Sequence, residues 1–323
     1  MPCQVAYREA ILASVEATLR WALVTAVAPV AWGSNYFVTH EYLPAGHPFY
    51  GGLLRALPAG LVLLAVCRRL PAGVWWWRSL VLGVLNVGAF FVLIYVAATL
   101  LPTSVAATVM ATSPVVMMAF AWLVLAQPPR AAQLAGAGIG LGGVALLLLT
   151  GLTAVDVRGV LASAGAMVMS SLGYVLAKKW STGVDVLSLT SWQLVAGGLA
   201  LLPVAVLVEG APPALDGPAV LGFGYVAVVA TALAFAAWFT GLRHLDAGTV
   251  GLVGLLNPVT GVLLGTVVAA EVLSARQWAG LLLVLGGIVL GSWVTRPDRT
   301  RPASGRPRCG RGPRPARTLA PGR

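Results

Sequence analysis

Charged residues are scarce in this chain. Asp, Glu, Lys and Arg together make up 10% of its 323 residues, whereas a soluble domain carries about a quarter. Hydrophobic residues make up 59%. A soluble core has no use for so much apolar surface, but a lipid bilayer does. The composition therefore argues against a soluble enzyme and predicts an integral membrane protein.

Cysteine is also rare, and residues that usually carry catalysis are not grouped. Cys3, Cys67 and Cys309 lie far apart and form no CxxC or Cys/His cluster, so the sequence predicts neither a disulfide framework nor a metal site. It contains no HExxH, GxSxG or GxxxxGK[ST] motif. We therefore expect a protein that is not an enzyme and that needs no cofactor.

Carboxylates are missing from the middle of the apolar segments. Glu41, Glu209 and Glu271 all lie near the ends of such segments. Proton-coupled antiport usually uses an intramembrane Asp, Glu or His. Proton antiport and facilitated exchange therefore both stay open.

The formal net charge of +11 is concentrated at the C-terminus. Residues 296–323 hold nine arginines and one acid, Asp298. A segment rich in Pro, Gly and Arg predicts a disordered cytoplasmic tail, 295–323, that touches anionic lipid headgroups. We expect the lipid bilayer as a partner and no nucleic acid.

Ten apolar windows are long enough to cross a bilayer as helices, which takes about 20 residues each. The predicted fold is therefore an all-α membrane protein with ten transmembrane helices, joined by short loops and preceded by a cytoplasmic segment, 1–17. The windows are 18–38, 49–67, 79–100, 103–126, 131–150, 158–178, 186–208, 218–240, 248–270 and 275–294.

The basic residues of the loops predict the orientation. With both termini in the cytoplasm, the outer loops hold only Arg158 and Arg276, each near an acid. We therefore expect a multi-pass protein of the inner or plasma membrane with cytoplasmic termini. The inner side then receives Arg8, Arg20, Arg68, Arg69, Arg78, Arg130, Lys178, Lys179, Arg243 and the tail.

The chain repeats itself. A constant shift of 144 residues aligns 112–149 with 256–293 without a gap and matches prolines, glutamines and glycines. A shift of 138 aligns 53–64 with 191–202. Because each unit, 18–150 and 158–294, holds five helices, the second unit enters the membrane from the opposite side. Such inverted repeats are typical of carriers.

These repeats, with AWGSNYFV (31–38), RALPAGLVLL (55–64) and the paired endings P-x(11–12)-Q/E…Q-x-x-G-x(5)-GG, resemble the EamA type of the drug/metabolite transporter superfamily over residues 18–294. Within this superfamily, the sequence resembles the branch labelled as exporters of the blue pigment indigoidine. The resemblance implies a ten-helix exporter whose central cavity opens alternately to each side. One departure from the family pattern is Gln127. The end of the fourth helix usually carries an acid there, as Glu271 does at the end of the ninth helix in this chain.

Polar residues inside the first window raise the question of a solute site. A lipid-facing Asn is costly unless it is hydrogen-bonded or faces water. Gly33 and Ser34 allow close helix approach, so we expect Trp32, Asn35 and Tyr36 to line a cavity. A structural hydrogen bond between helices is the alternative.

Arg55 is the one strong charge well inside a predicted span. It lies two turns from a helix end and is expected either to bind an anionic solute group or to reach the outer headgroups with its long side chain. Asn86 and Phe90 share a helical face, and Pro114 and Pro258 interrupt corresponding helices. The predicted substrate pathway is Trp32, Asn35, Tyr36, Arg55, Asn86, Phe90, Pro114, Tyr174, Trp192, Gln193, Phe235, Trp238, Asn257 and Pro258.

We therefore predict a membrane carrier that exports small metabolites, amino-acid-like or aromatic, by alternating access. A broad-specificity drug or dye exporter is the alternative within the class. A membrane-embedded enzyme, which would need a catalytic dyad at membrane depth, and a non-transporting partner subunit are the rivals outside it. The sequence leaves a homodimer open.

Overall fold

The computed structural model describes residues 2–42, 44, 46–101, 103–148, 156–269 and 273–293. Every regular element in these ranges is helical, and we number ten membrane helices. The first five are α1 (Pro2–Tyr42), α2 (Pro48–Cys67), α3 (Trp75–Leu100), α4 (Thr103–Met110 and Ser113–Leu125) and α5 (Ala131–Leu148). The second five are α6 (Val157–Trp180), α7 (Val186–Glu209), α8 (Gly217–His244), α9 (Ala247–Val253 and Leu256–Ala269) and α10 (Ala275–Trp293).

These helices confirm the predicted all-α membrane fold. Nine of the described helices are long and apolar enough to cross a bilayer. The tenth predicted span, 18–38, lies within α1, which is a single helix of 41 residues that begins at Pro2. The tail 295–323 and Glu271 lie outside the described residues.

Two helices contain a π-helical segment, and these segments occupy equivalent places in the repeats. In α3 the segment is Val84–Gly88, and in α8 it is Val228–Leu233. Their first residues differ by 144, the shift that aligns the repeats. A π-turn leaves the regular i→i+4 pattern and is frequent at functional sites.

Two other helices are broken, again at equivalent places. The second segment of α4 begins at Ser113, next to Pro114, and the second segment of α9 begins at Leu256, two residues before Pro258. The expected interruption of corresponding helices by proline is therefore confirmed.

The helix packing is symmetric: replacing each helix by its counterpart in the other repeat gives the same set of packed pairs. α5 packs against α10, α2 against α7, and α4 against α9, so each of these pairs maps onto itself. The pair α3–α6 corresponds to α8–α1, and α4–α6 corresponds to α9–α1. This pattern is what a pseudo-two-fold axis between inverted repeats requires.

Glycines at the α5–α10 crossing show the same symmetry at the atomic level. A Cβ added at Gly136 would lie 2.4 Å from the Gly287 carbonyl oxygen, and one added at Gly280 would lie 2.7 Å from that of Gly143. The shift of 144 converts Gly136 into Gly280 and Gly143 into Gly287. The two contacts are therefore related by the pseudo-two-fold symmetry. Both depend on glycine for close backbone approach.

The α2–α7 crossing repeats this with the shift of 138. A Cβ at Gly60 would lie 2.8 Å from the backbone nitrogen of Val195. A Cβ at Gly198 would lie 3.1 Å from that of Leu57. The shift converts Gly60 into Gly198 and Leu57 into Val195. The pseudo-axis therefore runs through both crossings.

Aspartates begin four helices of the second repeat. Asp156, Asp185, Asp216 and Asp246 are N-caps whose carboxylates accept backbone N–H groups. At Asp185, partial burial raises the pKa, but hydrogen bonds from Ser188 and the nearby Arg69 charge outweigh it and leave the pKa below its usual value.

The matched glutamines of the repeats also act as helix caps. The Oε1 of Gln133 accepts the backbone N–H of Arg130 at 3.0 Å, and that of Gln277 accepts the N–H of Ser274 at 2.9 Å. Each glutamine closes the first turn of its helix, as in a capping box. Gln133 also donates to Asp246 at 2.6 Å and to Thr249 at 3.3 Å.

Replacing these glutamines should therefore have unequal effects. Gln277→Ala removes a cap and should cost about 1 kcal/mol. Gln133→Ala should cost more, because it also removes the tie between α5 and the start of α9. Thermal unfolding of both purified variants in detergent checks the order, and an equal loss in the two would contradict it.

Candidate functional site

Arg55 points from α2 into the bundle, toward the π-helical segment of α8. Its Nε donates to the Thr231 hydroxyl at 3.1 Å and its Nη2 donates to the Ala230 carbonyl at 3.2 Å. Its guanidinium also lies 5.1 Å from the centre of the Phe91 ring. These partners hold the half-buried charge inside the protein.

Trp32 of α1 shares one of these acceptors. Its indole Nε1 donates to the Ala230 carbonyl at 3.1 Å. A π-turn changes which carbonyls its backbone bonds satisfy, and here one carbonyl accepts from both Trp32 and Arg55. The π-helical segment thus joins the charge to the aromatic side chains.

Aromatic rings form a continuous cluster next to this charge. The Trp32 ring centre lies 5.2 Å from that of Trp238 and 5.4 Å from that of Phe235. Tyr174 of α6 lies 5.3 Å from Trp238, and Phe239 lies 6.0 Å from Tyr174. We call Trp32, Tyr174, Phe235, Trp238 and Phe239 the aromatic cluster. It offers flat surfaces suited to a planar solute.

In α1 and α8, two buried polar atoms lack partners in the described part of the chain. They are the indole Nε1 of Trp238, whose side chain is almost fully buried, and the Oδ1 of Asn35. Leaving such a group unpaired costs roughly 1–3 kcal/mol. An unpaired donor and acceptor beside a charge and stacked rings are typical of a site that a ligand completes.

The polar residues of α1 divide between structural and open roles. Gly33 lies where α1 crosses α9, and a Cβ there would lie 2.6 Å from the Asn257 carbonyl oxygen. The Ser34 hydroxyl shares a 2.6 Å hydrogen bond with Tyr225 of α8. The expected close helix approach is thus confirmed at Gly33, while the Tyr36 side chain lies outside the described residues.

Asn86 and Gln193 contact each other at the position that the repeat relates to the Arg55 site. Asn86 Nδ2 donates to Gln193 Oε1 at 2.9 Å, and both residues are fully buried. Asn86 belongs to the π-helical segment of α3 and packs against Gly173, next to Tyr174. This amide pair therefore packs against α6 at the residue before Tyr174.

One predicted residue, Trp192, lies elsewhere. Trp192 packs 5.5 Å from Trp75 and donates to the Arg69 carbonyl at 2.7 Å, at the end of the bundle where α7 begins. The ring that lies over Arg55 is that of Phe91, next to the predicted Phe90. The expected shared face of Asn86 and Phe90 assumed an α-helix, but the π-turn shifts the register by one residue.

The ends of α6, α8 and α9 are tied together beyond this site. The Lys178 Nζ donates to the carbonyls of Leu242 and Leu245, the latter at 2.6 Å. Asp246, the N-cap of α9, forms an ion pair with Arg130 at 3.8 Å. These contacts lie at the end of the bundle at which α7 and α9 begin.

Comparisons with known proteins identify the family. The model of the EamA-like transporter family matches residues 19–149 and 157–293, the two repeats. The chain belongs to the EamA-like transporter family. It is therefore a multi-pass membrane protein and an efflux transporter of small molecules.

Relatives of known sequence and structure agree. The chain is 37% identical to protein PecM of Dickeya dadantii over 81% of this chain and 89% of that protein. It is 27% identical to a probable amino-acid metabolite efflux pump of Salmonella typhimurium, over 85% of this chain and 96% of that protein. A crystal structure with 22% identity shares the fold, with a TM-score of 0.74 over 84% of this chain and 98% of that one.

Proposed function

We propose that this EamA-family carrier exports small metabolites that combine a planar aromatic body with an anionic group, bound by Arg55 and the aromatic cluster. The observation that supports the proposal is the joining of Arg55 and Trp32 on one carbonyl, that of Ala230. The planar guanidinium of an arginine is suited to binding a carboxylate or phenolate. The adjacent rings are suited to stacking on the solute body.

Transport proceeds by alternating access in this proposal. The matched helix crossings, π-helical segments and helix breaks make the two repeats interchangeable, as the mechanism requires. Both termini lie in the cytoplasm, because the loops at that end carry most of the arginines and lysines. Solute then leaves the cell through the end of the bundle that carries Glu209.

Efflux from proteoliposomes tests the function directly. Liposomes with the purified chain are loaded with an aromatic amino acid, an aromatic carboxylate or a cationic dye. We expect the aromatic carboxylate or the amino acid to leave faster than from empty liposomes. Faster efflux of the cationic dye alone would favour the second candidate, a broad-specificity dye carrier, which the aromatic cluster would also serve.

Trp238 gives a narrower test of the site. Trp238→Phe keeps an aromatic ring but removes the buried indole N–H, so we expect efflux of the best solute to fall roughly fivefold, the effect of one hydrogen bond. The smaller ring also leaves a cavity at a residue that is 3% exposed, so thermal stability is measured beside efflux to separate the two effects. Trp77→Phe, at a residue that is 65% exposed, is the matched control. Equal efflux by both variants would remove Trp238 from the site.

A further inference from the structure

We propose that the amide pair, Asn86 and Gln193, is a second solute subsite that is closed in this structure. It takes a neutral hydrogen-bonding group, such as a carboxamide or hydroxyl, when the carrier opens toward the end of the bundle where α7 begins. The proposal rests on the proposed function, because it concerns the same solute pathway.

The amide pair is the counterpart of the Arg55 site under the pseudo-two-fold axis. The shift of 138 converts Arg55 into Gln193, and the shift of 144 converts Asn86 into Ala230. Each side chain, Arg55 or Gln193, hydrogen-bonds to the π-helical segment of the opposite repeat. The Arg55 site and the amide pair thus have the same arrangement of helices but different side chains.

The two places also differ in exposure. Arg55 is half-buried, whereas Asn86 and Gln193 are fully buried. In a carrier with inverted repeats, the second state arises when the halves exchange conformations. The amide pair then acquires the exposure that the Arg55 site has in this structure, and the Arg55 site becomes covered.

The unpaired atoms of the amide pair indicate what it binds. Its single hydrogen bond leaves Asn86 Oδ1 and Gln193 Nε2 without partners in the described ranges. One is an acceptor and the other a donor, and neither is charged. A group that both donates and accepts satisfies them together, whereas a carboxylate satisfies only the donor.

The spacing of the two subsites fits one small solute. α2 and α7 run antiparallel, with Gly60 facing Leu194 and Val195. Gln193 is therefore level with about residue 61 of α2, six residues from Arg55, which is about 9 Å at 1.5 Å per residue. Gly173, which touches Asn86, is followed by Tyr174 of the aromatic cluster. A ring with polar groups at opposite ends spans this distance.

Sided chemical labelling tests whether the amide pair becomes exposed. In the full chain with Cys3, Cys67 and Cys309 replaced by serine, Arg55→Cys and Gln193→Cys are treated in right-side-out and inside-out vesicles. The reagent is a charged, membrane-impermeant methanethiosulfonate. Arg69→Cys and Ala211→Cys mark the two faces, since both residues are exposed. Val144→Cys, at a fully buried residue of α5, is the unreactive control.

We expect Arg55→Cys to react from the face marked by Ala211→Cys and Gln193→Cys from the face marked by Arg69→Cys. If Gln193→Cys stays unreactive from both faces while efflux persists, the subsite is wrong and the proposed function stands. If both cysteines react from one face only, alternating access fails as well.

Paired ligands test the chemistry of the subsite. Quenching of tryptophan fluorescence measures binding of 4-carbamoylbenzoate and of 4-methylbenzoate, which lacks the amide. We expect the carbamoyl compound to bind about fivefold more tightly, the effect of one hydrogen bond. Gln193→Met should abolish this ratio, and Arg55→Gln should weaken both ligands equally. Equal binding to the unaltered protein overturns the subsite alone, and no binding of either acid also counts against the proposed solute class.

Discussion

Efflux of the anionic aromatic solute should fall roughly 10- to 100-fold when Arg55 is replaced by glutamine. A hydrogen bond to a charged group contributes about 1.5–3 kcal/mol, which corresponds to this range of rates. Glutamine also matches the side chain at the repeat-related position, Gln193. The replacement therefore puts the same side chain at both repeat-related positions, and the protein already holds that side chain at one of them.

Two further variants separate binding from folding. Arg55→Lys keeps the charge, but an ammonium lacks the planar fork that bonds Thr231 and Ala230 together, so intermediate efflux is expected. Arg69→Gln removes a charge near the other end of α2, in an ion pair whose arginine side chain is 73% exposed, and should leave efflux unchanged. Normal efflux by Arg55→Gln would mean that Arg55 serves the structure or reaches the headgroups instead.

The sequence predicted the helices and the two repeats because both depend on features that a sequence displays. Long apolar runs locate membrane helices, and matched glycines at one offset indicated the repeat. Gly136, Gly143, Gly280 and Gly287 were visible as a pattern, and the structure adds that they contact each other across the axis. The matched glutamines were also visible, but their role as helix caps was not.

The composition of the site was less predictable, because part of it is backbone. The Ala230 carbonyl, which accepts from Trp32 and Arg55, belongs to an alanine without a distinctive side chain. The π-helical segments VLNVG and VVATAL contain no proline that would mark them. Phe91, whose ring lies over Arg55, was not among the predicted pathway residues. Thr231, whose hydroxyl accepts from Arg55, was also missed. The residue 144 positions earlier is Val87, so a comparison of the repeats gives no polar match at this position.

The second large effect is expected at the α5–α10 crossing, where Gly136→Val should remove most of the folded protein. A Cβ at this position would lie 2.4 Å from the Gly287 carbonyl oxygen, and a backbone oxygen cannot rotate away as a side chain can. Overpacking of a core typically costs 1–3 kcal/mol. Because relief here requires the two helices to separate, we expect a loss above about 3 kcal/mol.

Neighbouring glycines in the same helix supply the control. Gly138 and Gly142 have no atom within 4 Å of an added Cβ and are exposed on the outer surface of α5. Gly138→Val should therefore give normal yield and thermal stability in detergent size-exclusion chromatography, while Gly136→Val elutes as aggregate. The symmetry adds a quantitative condition. Gly280→Ala should destabilise the protein about as much as Gly136→Ala, since the axis exchanges the two positions. A tolerated valine at Gly136, or a large difference between the two alanine variants, would contradict the paired crossing on which alternating access depends.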